Sequence, residues 1–416
     1  MTTIVGVLNK RAVAIAADSA VTVGDTHKVM NTGNKIFALS KFAPVGIAIY
    51  GNASLMDTPW EVIIKCYRRQ LNQTKFQYLR EYVEDFLGYL RNHEFFASPE
   101  IQHRHLFIQM NTFFNSCVEQ AKARANFLSN PAQAIIDELN DCKVANQSVT
   151  ELNQDFIDYD YADFKVFAKS EIEAVLNQSK VLNVSTHYDI FAESYYHYLR
   201  LLRIDRDGES GLVFVGYGEE EIYPCLYNIE CAIGFEHKLQ YRYSRETEIT
   251  NEKTTASIAP FAQLQTTQTI IRGINPDFFD IIANIFSNTL NSFQKYASDL
   301  VRANNLEPVA KQIDSFNVGS LSQTFISVTQ NEFFNHYTKP LVQTVEHLGI
   351  SDMANVAESL VSLTSLVQRM SPKEESVGGP VDVAVISKGD GLIWIKRKHY
   401  FNPDLNAQFF NNYNND

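Results

Sequence analysis

The sequence lacks any run of about eighteen apolar residues, the length that a membrane-spanning helix needs. Its N-terminus also lacks a basic region followed by an apolar stretch, so it does not predict a secretory signal. We therefore expect a cytoplasmic protein with no membrane partner.

Positive charge is scarce. The chain has 36 Lys and Arg against 48 Asp and Glu, which gives a formal net charge of -12. No long basic block is present, whereas a protein that binds phosphate backbones needs a basic surface. The charge therefore argues against a nucleic-acid partner.

Cysteine and histidine do not form clusters. The ten histidines come closest at His103 and His105, which we interpret as part of a solvated loop. The five cysteines form no Cys-x-x-Cys pair and are widely spaced, at Cys66, Cys117, Cys142, Cys225 and Cys231. This pattern is typical of reduced cytosolic thiols, and it predicts neither a metal site nor a cofactor.

The 416 residues, of which 45% are hydrophobic, suffice for one large domain or two ordinary ones. The first part of the chain contains four short apolar runs that are typical of strands covered on both faces. These runs are Thr2 to Leu8, Ala12 to Ala17, Lys35 to Leu39 and Val45 to Tyr50. The order predicts a hairpin followed by two further strands.

Helices follow these strands. Thr58 is expected to cap the first of them, with Pro59 as its first residue and Glu61 completing a capping box. Its apolar stripe is predicted at Trp60, Ile63, Ile64, Tyr67 and Leu71. A second helix is predicted over Tyr78 to Leu90.

The remainder is predicted to alternate between helical and strand-rich stretches. Helices with polar breaks are expected over 95–205, strands over 211–216, 223–227 and 239–243, and a loop over 246–256. Asn275 is expected to cap a later helix with an apolar stripe, and more helix fills 321–370 before a closing hairpin over 381–396. The predicted stripe is Phe279, Ile282, Ile285, Phe286 and Leu290.

This order predicts sheets sandwiched between helices. We divide the chain into a main domain over 1–94 and 206–400, a mostly helical insertion over 95–205 and a flexible Asn-rich tail over 401–416. The stretch 155–164 in the insertion mixes acidic and aromatic residues. It is interpreted either as a helical layer with its aromatic side inward or as a docking surface or lid.

The first residues of the chain suggest nucleophilic catalysis by an N-terminal threonine. If Met1 is removed, as we expect, Thr2 can attack through its hydroxyl while its own α-amine acts as the base. A free α-amine titrates near about 7.7–8.0, so part of it can accept a proton at cytosolic pH. Asp18 and Lys35 follow on or beside neighbouring strands and complete a candidate active site.

Several motifs together resemble the proteasome β-subunit family and its bacterial relative that works with a ring unfoldase. The matching segments are 1–3, 15–19, 34–36, 46–51 and the closing 378–383. The resemblance implies an N-terminal-nucleophile (Ntn) hydrolase of the α+β class, a four-layer αββα sandwich that requires no cofactor. It also implies a peptide or protein substrate, a homo-oligomer and an ATP-dependent unfoldase as partner.

The resemblance implies a role for each matched residue. Thr2 would be the nucleophile, Lys35 would favour loss of the hydroxyl proton, and Asp18 would hold Lys35 in place. The backbone N–H of Gly51 would bind the oxyanion, because a glycine lets the substrate backbone approach closely. Taken singly, the four residues also fit ordinary strand, turn and helix-lead positions.

The groups that would support the amine depart from the family's pattern. Thr267 is the match for one helper serine. Glu374 stands at the Asp-like position of the second support group, and Ser376 lies one residue from the Ser-like position, which is Val377. Ala20 stands where many members have Arg.

Three functions remain open at this point. The first is a threonine-type peptidase, the second an Ntn amidase or acylase that acts on a small molecule, and the third a non-catalytic assembly module with the same fold. Substrate size would separate the first two. Thr2, Asp18 and Lys35 argue against the third.

Overall fold

In the computed structural model the chain divides into two units. One is formed by residues 1–33, 249–385 and 393–416, and the other by residues 34–248 and 386–392. The structure describes residues 2–23, 28–92, 98–202, 209–371, 378–399 and 401–408. Strands and helices are numbered along the chain.

The first unit is built on a five-stranded sheet with the order β12-β1-β2-β13-β14. β1 is antiparallel to both β12 and β2. All of the side chains of β1 and β2 are buried, as their continuous apolar runs predict. The strands are β1 Thr3–Asn9, β2 Ala12–Ala17, β12 Ala256–Ala262, β13 Asp382–Ser387 and β14 Gly391–Lys396, with a separate small sheet of β3 Val21–Val23 and β4 Lys28–Met30.

Helices cover one face of this sheet. α13 packs against β1 and β2, and the shared core joins residues such as Val5 and Ala14 to Met353 and Val361. The helices are α8 Gln265–Arg272, α9 Pro276–Ala303, α10 Glu307–Ser315, α11 Val318–Phe333, α12 Lys339–His347 and α13 Ile350–Met370, with a π-helical turn Phe334–Thr338 before α12.

The second unit contains a five-stranded sheet with the order β11-β10-β9-β6-β5. The pairs β5–β6, β6–β9, β9–β10 and β10–β11 are antiparallel. The strands are β5 Ile36–Ala38, β6 Val45–Gly51, β9 Ser210–Gly216, β10 Cys225–Phe235 and β11 Lys238–Glu248, with a two-stranded sheet of β7 Ser54–Leu55 and β8 Thr58–Pro59.

One hydrophobic core unites this sheet with all of the unit's long helices. Phe86 of α2 contacts Phe214 of β9, while Phe113 and Phe191 join α3 to α7. The predicted insertion therefore shares its core with the sheet and the first two helices. The helices are α1 Trp60–Leu71, α2 Leu79–Asn92, α3 Pro99–Ala121, α4 Pro131–Gln147, α5 Tyr161–Phe167, α6 Lys169–Ser179 and α7 Val184–Leu199, and a short 3-10 turn lies at Gln154–Phe156. A second 3-10 turn, Pro403–Leu405, belongs to the first unit.

The predicted apolar stripe of α1 is confirmed, because its five members are the buried residues of that helix. The predicted cap is wrong. Thr58 pairs with Leu55 in a small β ladder, and Pro59, at the N-cap, makes no side-chain capping bond. The ladder holds Thr58 in an extended conformation.

Two other predictions need correction. β12 lies in a segment that the sequence did not predict as a strand, and β11 extends into the predicted loop over 246–256. The stripe of α9 is only partly buried: Phe279 is buried, but Ile285 is 60% exposed. α9 therefore has apolar side chains on more than its inward face.

Three of the four aromatic side chains of 155–164 are buried. Phe156, Tyr159 and Phe164 are buried, although the segment is divided between a 3-10 turn and α5. The stacking of the two large sheets into four layers and the boundaries of the insertion stay predictions. Among the described residues, none of the helices is both long enough and apolar enough to cross a membrane.

Candidate active site

The start of β1 is held from both sides. In the first unit, Thr3 pairs with Ala262 of β12, and the N–H of Gln263 donates to the carbonyl of Thr2 over 3.2 Å. On the other side, Ile4 pairs with Ala17 at the end of β2. Thr2 is buried, and its backbone is fixed at the edge of a fully packed strand.

Asp18 follows β2 directly and lies level with Thr3. Its Oδ1 accepts a 2.8 Å bond from the N–H of Thr3, and its own N–H donates to the carbonyl of Thr3 over 3.2 Å. Its Oδ2 accepts from the N–H groups of Ala20 at 3.2 Å and Gly378 at 3.1 Å. Backbone donors of this kind stabilise a carboxylate that is only 1% exposed.

The segment before β13 also reaches this corner of the first unit. The N–H of Ser19 donates to the carbonyl of Gly378, and the Ser19 hydroxyl donates to the carbonyl of Pro380. Gly379 has a φ of +75°, and a Cβ there would lie 2.9 Å from the Cβ of Asn31. The closing motif noted in the sequence is therefore adjacent to Asp18.

Two of the predicted support residues precede this segment. Glu374 and Ser376 lie outside the described residues. Their proposed roles beside the amine stay predictions.

Thr267 lies in the first turn of α8, four residues after Gln263. Its side chain is fully buried, and its Oγ1 has no hydrogen-bond partner among the described residues. Leaving a buried hydroxyl unpaired costs about 1–3 kcal/mol. The Oγ1 of Thr3 is likewise buried and lacks a partner in this part of the structure. Both hydroxyls are on segments that adjoin Thr2.

Lys35 and Gly51 belong to the second unit. Lys35 precedes β5, its carbonyl accepts from the N–H of Ile49 over 2.8 Å, and only 4% of the residue is exposed. A lysine is rarely buried to this extent without partners. This burial excludes the interpretation of Lys35 as a solvated strand end, whereas its predicted approach to Thr2 stays a prediction.

Gly51 ends β6 in a conformation that requires glycine. Its φ is +77°, and a Cβ would lie 2.4 Å from the carbonyl oxygen of Glu209. Any larger residue would be strained and would displace the adjoining backbone. The predicted role of Gly51 as an oxyanion donor stays a prediction.

A polar cluster lies next to Gly51 on the same sheet. The amide of Asn228 donates to the Oη of Tyr50 over 2.7 Å, Tyr50 donates to Glu230 over 3.2 Å, and Arg242 donates to Glu230 over 2.5 Å. The ring of Tyr50 occupies the space that a side chain on Gly211 would fill. We call Tyr50, Asn228, Glu230 and Arg242 the β6–β11 polar cluster.

Burial raises the pKa of Tyr50, and the neighbouring Glu230 carboxylate raises it further. The phenol therefore remains a hydrogen-bond donor at neutral pH. The sequence analysis missed this cluster. Its signal is the alternation of β10, where Asn228 and Glu230 are placed between apolar Tyr227, Ile229 and Cys231.

Within the described ranges, no group of three or more His, Cys, Asp and Glu side chains is arranged to hold a metal ion. The polar groups at the start of β1 are instead hydroxyls, backbone amides and one carboxylate. Such an arrangement can hold the backbone beside Thr2 in a fixed position by hydrogen bonds.

Comparison with known proteins gives distant structural similarities. No family model and no curated protein matches the chain. An Anbu (Gly-1) mutant from Hyphomicrobium sp. strain MC1 is 8% identical, with 100% of this chain and 95% of that chain covered at a TM-score of 0.31. Anbu (ancestral beta-subunit) from Yersinia bercovieri is 9% identical, with 99% and 94% covered and a TM-score of 0.31. At these TM-scores, the similarities carry no weight for the function of this chain.

Proposed function

We propose that the chain is a threonine-type hydrolase of the proteasome-like Ntn class that cleaves peptide (amide) bonds. The observation that carries this proposal is the position of Thr2 directly before the buried strand β1, with the Asp18 carboxylate bonded to the next residue. Removal of Met1 would turn Thr2 into a nucleophile with its own base.

The reaction would take place in two stages. The α-amine of Thr2 takes the hydroxyl proton while Oγ attacks the amide carbon, and the resulting oxyanion is stabilised by the N–H of Gly51. The proton passes to the leaving nitrogen, the C–N bond breaks and an amine product departs. The threonine ester is then hydrolysed by a water molecule that gives its proton to the amine, which releases the acid and restores Thr2.

Two supporting groups would assist these stages. Lys35 would place its positive charge near Oγ and favour loss of the proton, with Asp18 holding the lysine in position. The buried and unpaired hydroxyl of Thr267 would find its partner in the α-amine of Thr2. The function would be carried out in the cytoplasm, on peptide or protein substrates that an ATP-dependent unfoldase could deliver.

The first test is chemical. Intact-mass measurement of protein purified from cells should show loss of Met1. A β-lactone or boronate should add its mass to the N-terminal peptide, because both react with an activated hydroxyl. A retained Met1 in protein that still hydrolyses peptides would contradict the proposal.

The matched genetic test compares adjacent threonines. Thr2→Ala should abolish hydrolysis of a peptide amide, whereas Thr2→Ser should retain measurable activity. Thr3→Val is the control, because the Thr3 hydroxyl has no partner among the described residues and its backbone bond to Asp18 is unchanged. Equal losses in Thr2→Ala and Thr3→Val would indicate a structural effect and not a nucleophile.

A further inference from the structure

Helix α9 has an apolar stripe that its own chain leaves uncovered. At 3.6 residues per turn, the stripe occupies an arc of about 120° along most of the helix. Its members are 53–69% exposed: Phe278, Ile281, Ile285, Phe293, Tyr296 and Leu300. We call these six residues the α9 stripe.

The other side of α9 already packs within its unit. Phe279 and Ala283 are buried, and the rings of Phe286 and Phe325 stack with their centroids 4.1 Å apart. The exposed residues are therefore additional to those that stabilise the unit. They form a second apolar face on the same helix.

The size of the stripe fits a protein interface. An aromatic side chain covers about 150–250 Å², so a ring that is more than half exposed leaves about 100 Å² uncovered. The stripe contains three such rings and three Ile or Leu side chains, which together leave about 600 Å² uncovered per copy, at the upper end of the largest apolar patches on monomers. Two copies together would bury about 1,200 Å², where stable interfaces begin.

Four of the six stripe residues are placed symmetrically about Thr289. Phe278 and Leu300 are each eleven residues away, and Ile285 and Phe293 are each four residues away. Thr289 is small, and its hydroxyl already donates to the carbonyl of Ile285 over 2.8 Å. The midpoint therefore permits close approach without leaving a polar atom unpaired.

A face with two residue pairs at equal distances from its midpoint fits a second copy of itself in the antiparallel direction. Phe278 of one copy would meet Leu300 of the other, and Ile285 would meet Phe293. Phe293 also lines an apolar cavity of about 460 Å³ beside α10 and α11, which offers the second copy a recess next to the stripe.

We propose that α9 docks antiparallel against α9 of a second copy of this chain, about a twofold axis at Thr289. The apolar stripe supplies the contact area, and the matched spacing of Phe278 with Leu300 and of Ile285 with Phe293 sets the direction. This interface is independent of the proposed hydrolase activity.

The cross-linking test uses the full chain with the exposed Cys66 replaced by Ser. Thr289→Cys should give disulfide-linked dimers on a denaturing gel after treatment with diamide, in which two thiols lose two protons and two electrons and diamide becomes the hydrazine. Asn291→Cys is the matched control, because it is exposed on α9 outside the stripe. Equal cross-linking of the two variants, or none with Thr289→Cys, would overturn the proposal.

Light scattering measures the same interface in solution. The unmodified chain should show at least twice its 47.3 kDa mass. Ile285→Glu with Phe293→Glu should lower that mass with unchanged circular dichroism, and Asn291→Glu should not. A single-chain mass for the unmodified protein, or an unchanged mass in the double glutamate variant, would rule out this interface.

Discussion

The N–H of Thr3 donates to the Asp18 carboxylate over 2.8 Å, and the N–H of Asp18 donates back to the carbonyl of Thr3 over 3.2 Å. These two bonds close the open end of the β1–β2 hairpin. They tie the residue next to Thr2 to a buried carboxylate, so a change in Asp18 is transmitted directly to the N-terminal backbone.

Removing the Thr267 hydroxyl should affect catalysis much more than stability. In the proposed active form this hydroxyl has one partner, the α-amine of Thr2, and a hydrogen bond contributes about 1 kcal/mol, so Thr267→Val should lower the free energy of unfolding by no more than about that amount. If the hydroxyl positions the α-amine, kcat should fall at least about tenfold. Urea unfolding and hydrolysis of a peptide amide measure the two effects.

Thr267→Ser is the matched control for that prediction. It keeps the hydroxyl and should retain most of kcat, although it loses a buried methyl and some stability. An active Thr267→Val variant would show that Thr267 has no role in positioning the amine.

The raised pKa of Tyr50 predicts that the protein loses stability at alkaline pH. Its pKa in the folded protein is raised above the ordinary value of about 10, because it is buried and next to Glu230. The folded state therefore holds the phenolic proton more tightly than the unfolded state does. The stabilisation is complete below about pH 10 and is lost as pH rises further, by up to about 1.4 kcal/mol per pH unit.

The measurement is the urea midpoint at several pH values on either side of pH 10. Tyr50→Phe should flatten the alkaline decline, while its neutral-pH stability falls because the bonds to Asn228 and Glu230 are lost. Tyr78→Phe, at a half-exposed ring, is the control. An alkaline slope identical in all three proteins would contradict the assignment to Tyr50.

The helix caps give a direct contrast. The side chain of Asn275 accepts a 3.2 Å bond from the N–H of Phe278, so Asn275→Ala should lower the free energy of unfolding by about 1 kcal/mol. Thr58 makes no capping bond to α1, so Thr58→Ala should have a smaller effect. Urea unfolding of both variants checks this, and a larger loss in Thr58→Ala would contradict the structure at α1.

The strands and helices that the sequence predicted well are those with a single strong pattern. β1 and β2 are continuous apolar runs, and α1 buries the five residues that helical spacing selects. β12 was missed because Pro260 within it argues against a strand. A proline is tolerated here because β12 is the edge strand of its sheet. Pro260 pairs with Val5 of β1, and its missing N–H removes no hydrogen bond between two interior strands.

The candidate site was predictable only where residues are close along the hairpin. The register of the β1–β2 hairpin places Asp18 opposite Thr3. This pairing can be predicted by counting residues outward from the turn between the two strands. The bond from Gly378 to Asp18 spans 360 positions and has no local signal. The β6–β11 polar cluster was missed because its members come from three strands and its polar groups bind one another.

Lys35 and Asp18 are predicted to act as one catalytic unit. A lysine near the nucleophile favours loss of its proton, and a carboxylate beside that lysine keeps it oriented and charged. Lys35→Met preserves the buried aliphatic stem, and Asp18→Asn preserves the shape of the carboxyl group. Each should lower kcat/KM by at least about 100-fold, and the double variant should be only a few-fold worse than the poorer single variant, because linked catalytic groups are not additive.

Hydrolysis of a peptide amide by the two single variants and the double variant measures this coupling between Lys35 and Asp18, and circular dichroism verifies that the variants fold. The control is the partly exposed ion pair between Lys10 and Glu346, whose Nζ and Oε1 atoms are 3.4 Å apart. Lys10→Met and Glu346→Gln should leave kcat/KM unchanged. Losses that multiply in the Lys35→Met, Asp18→Asn variant would mean that the two residues act separately, and the mechanism would then need a different source of positive charge at Thr2.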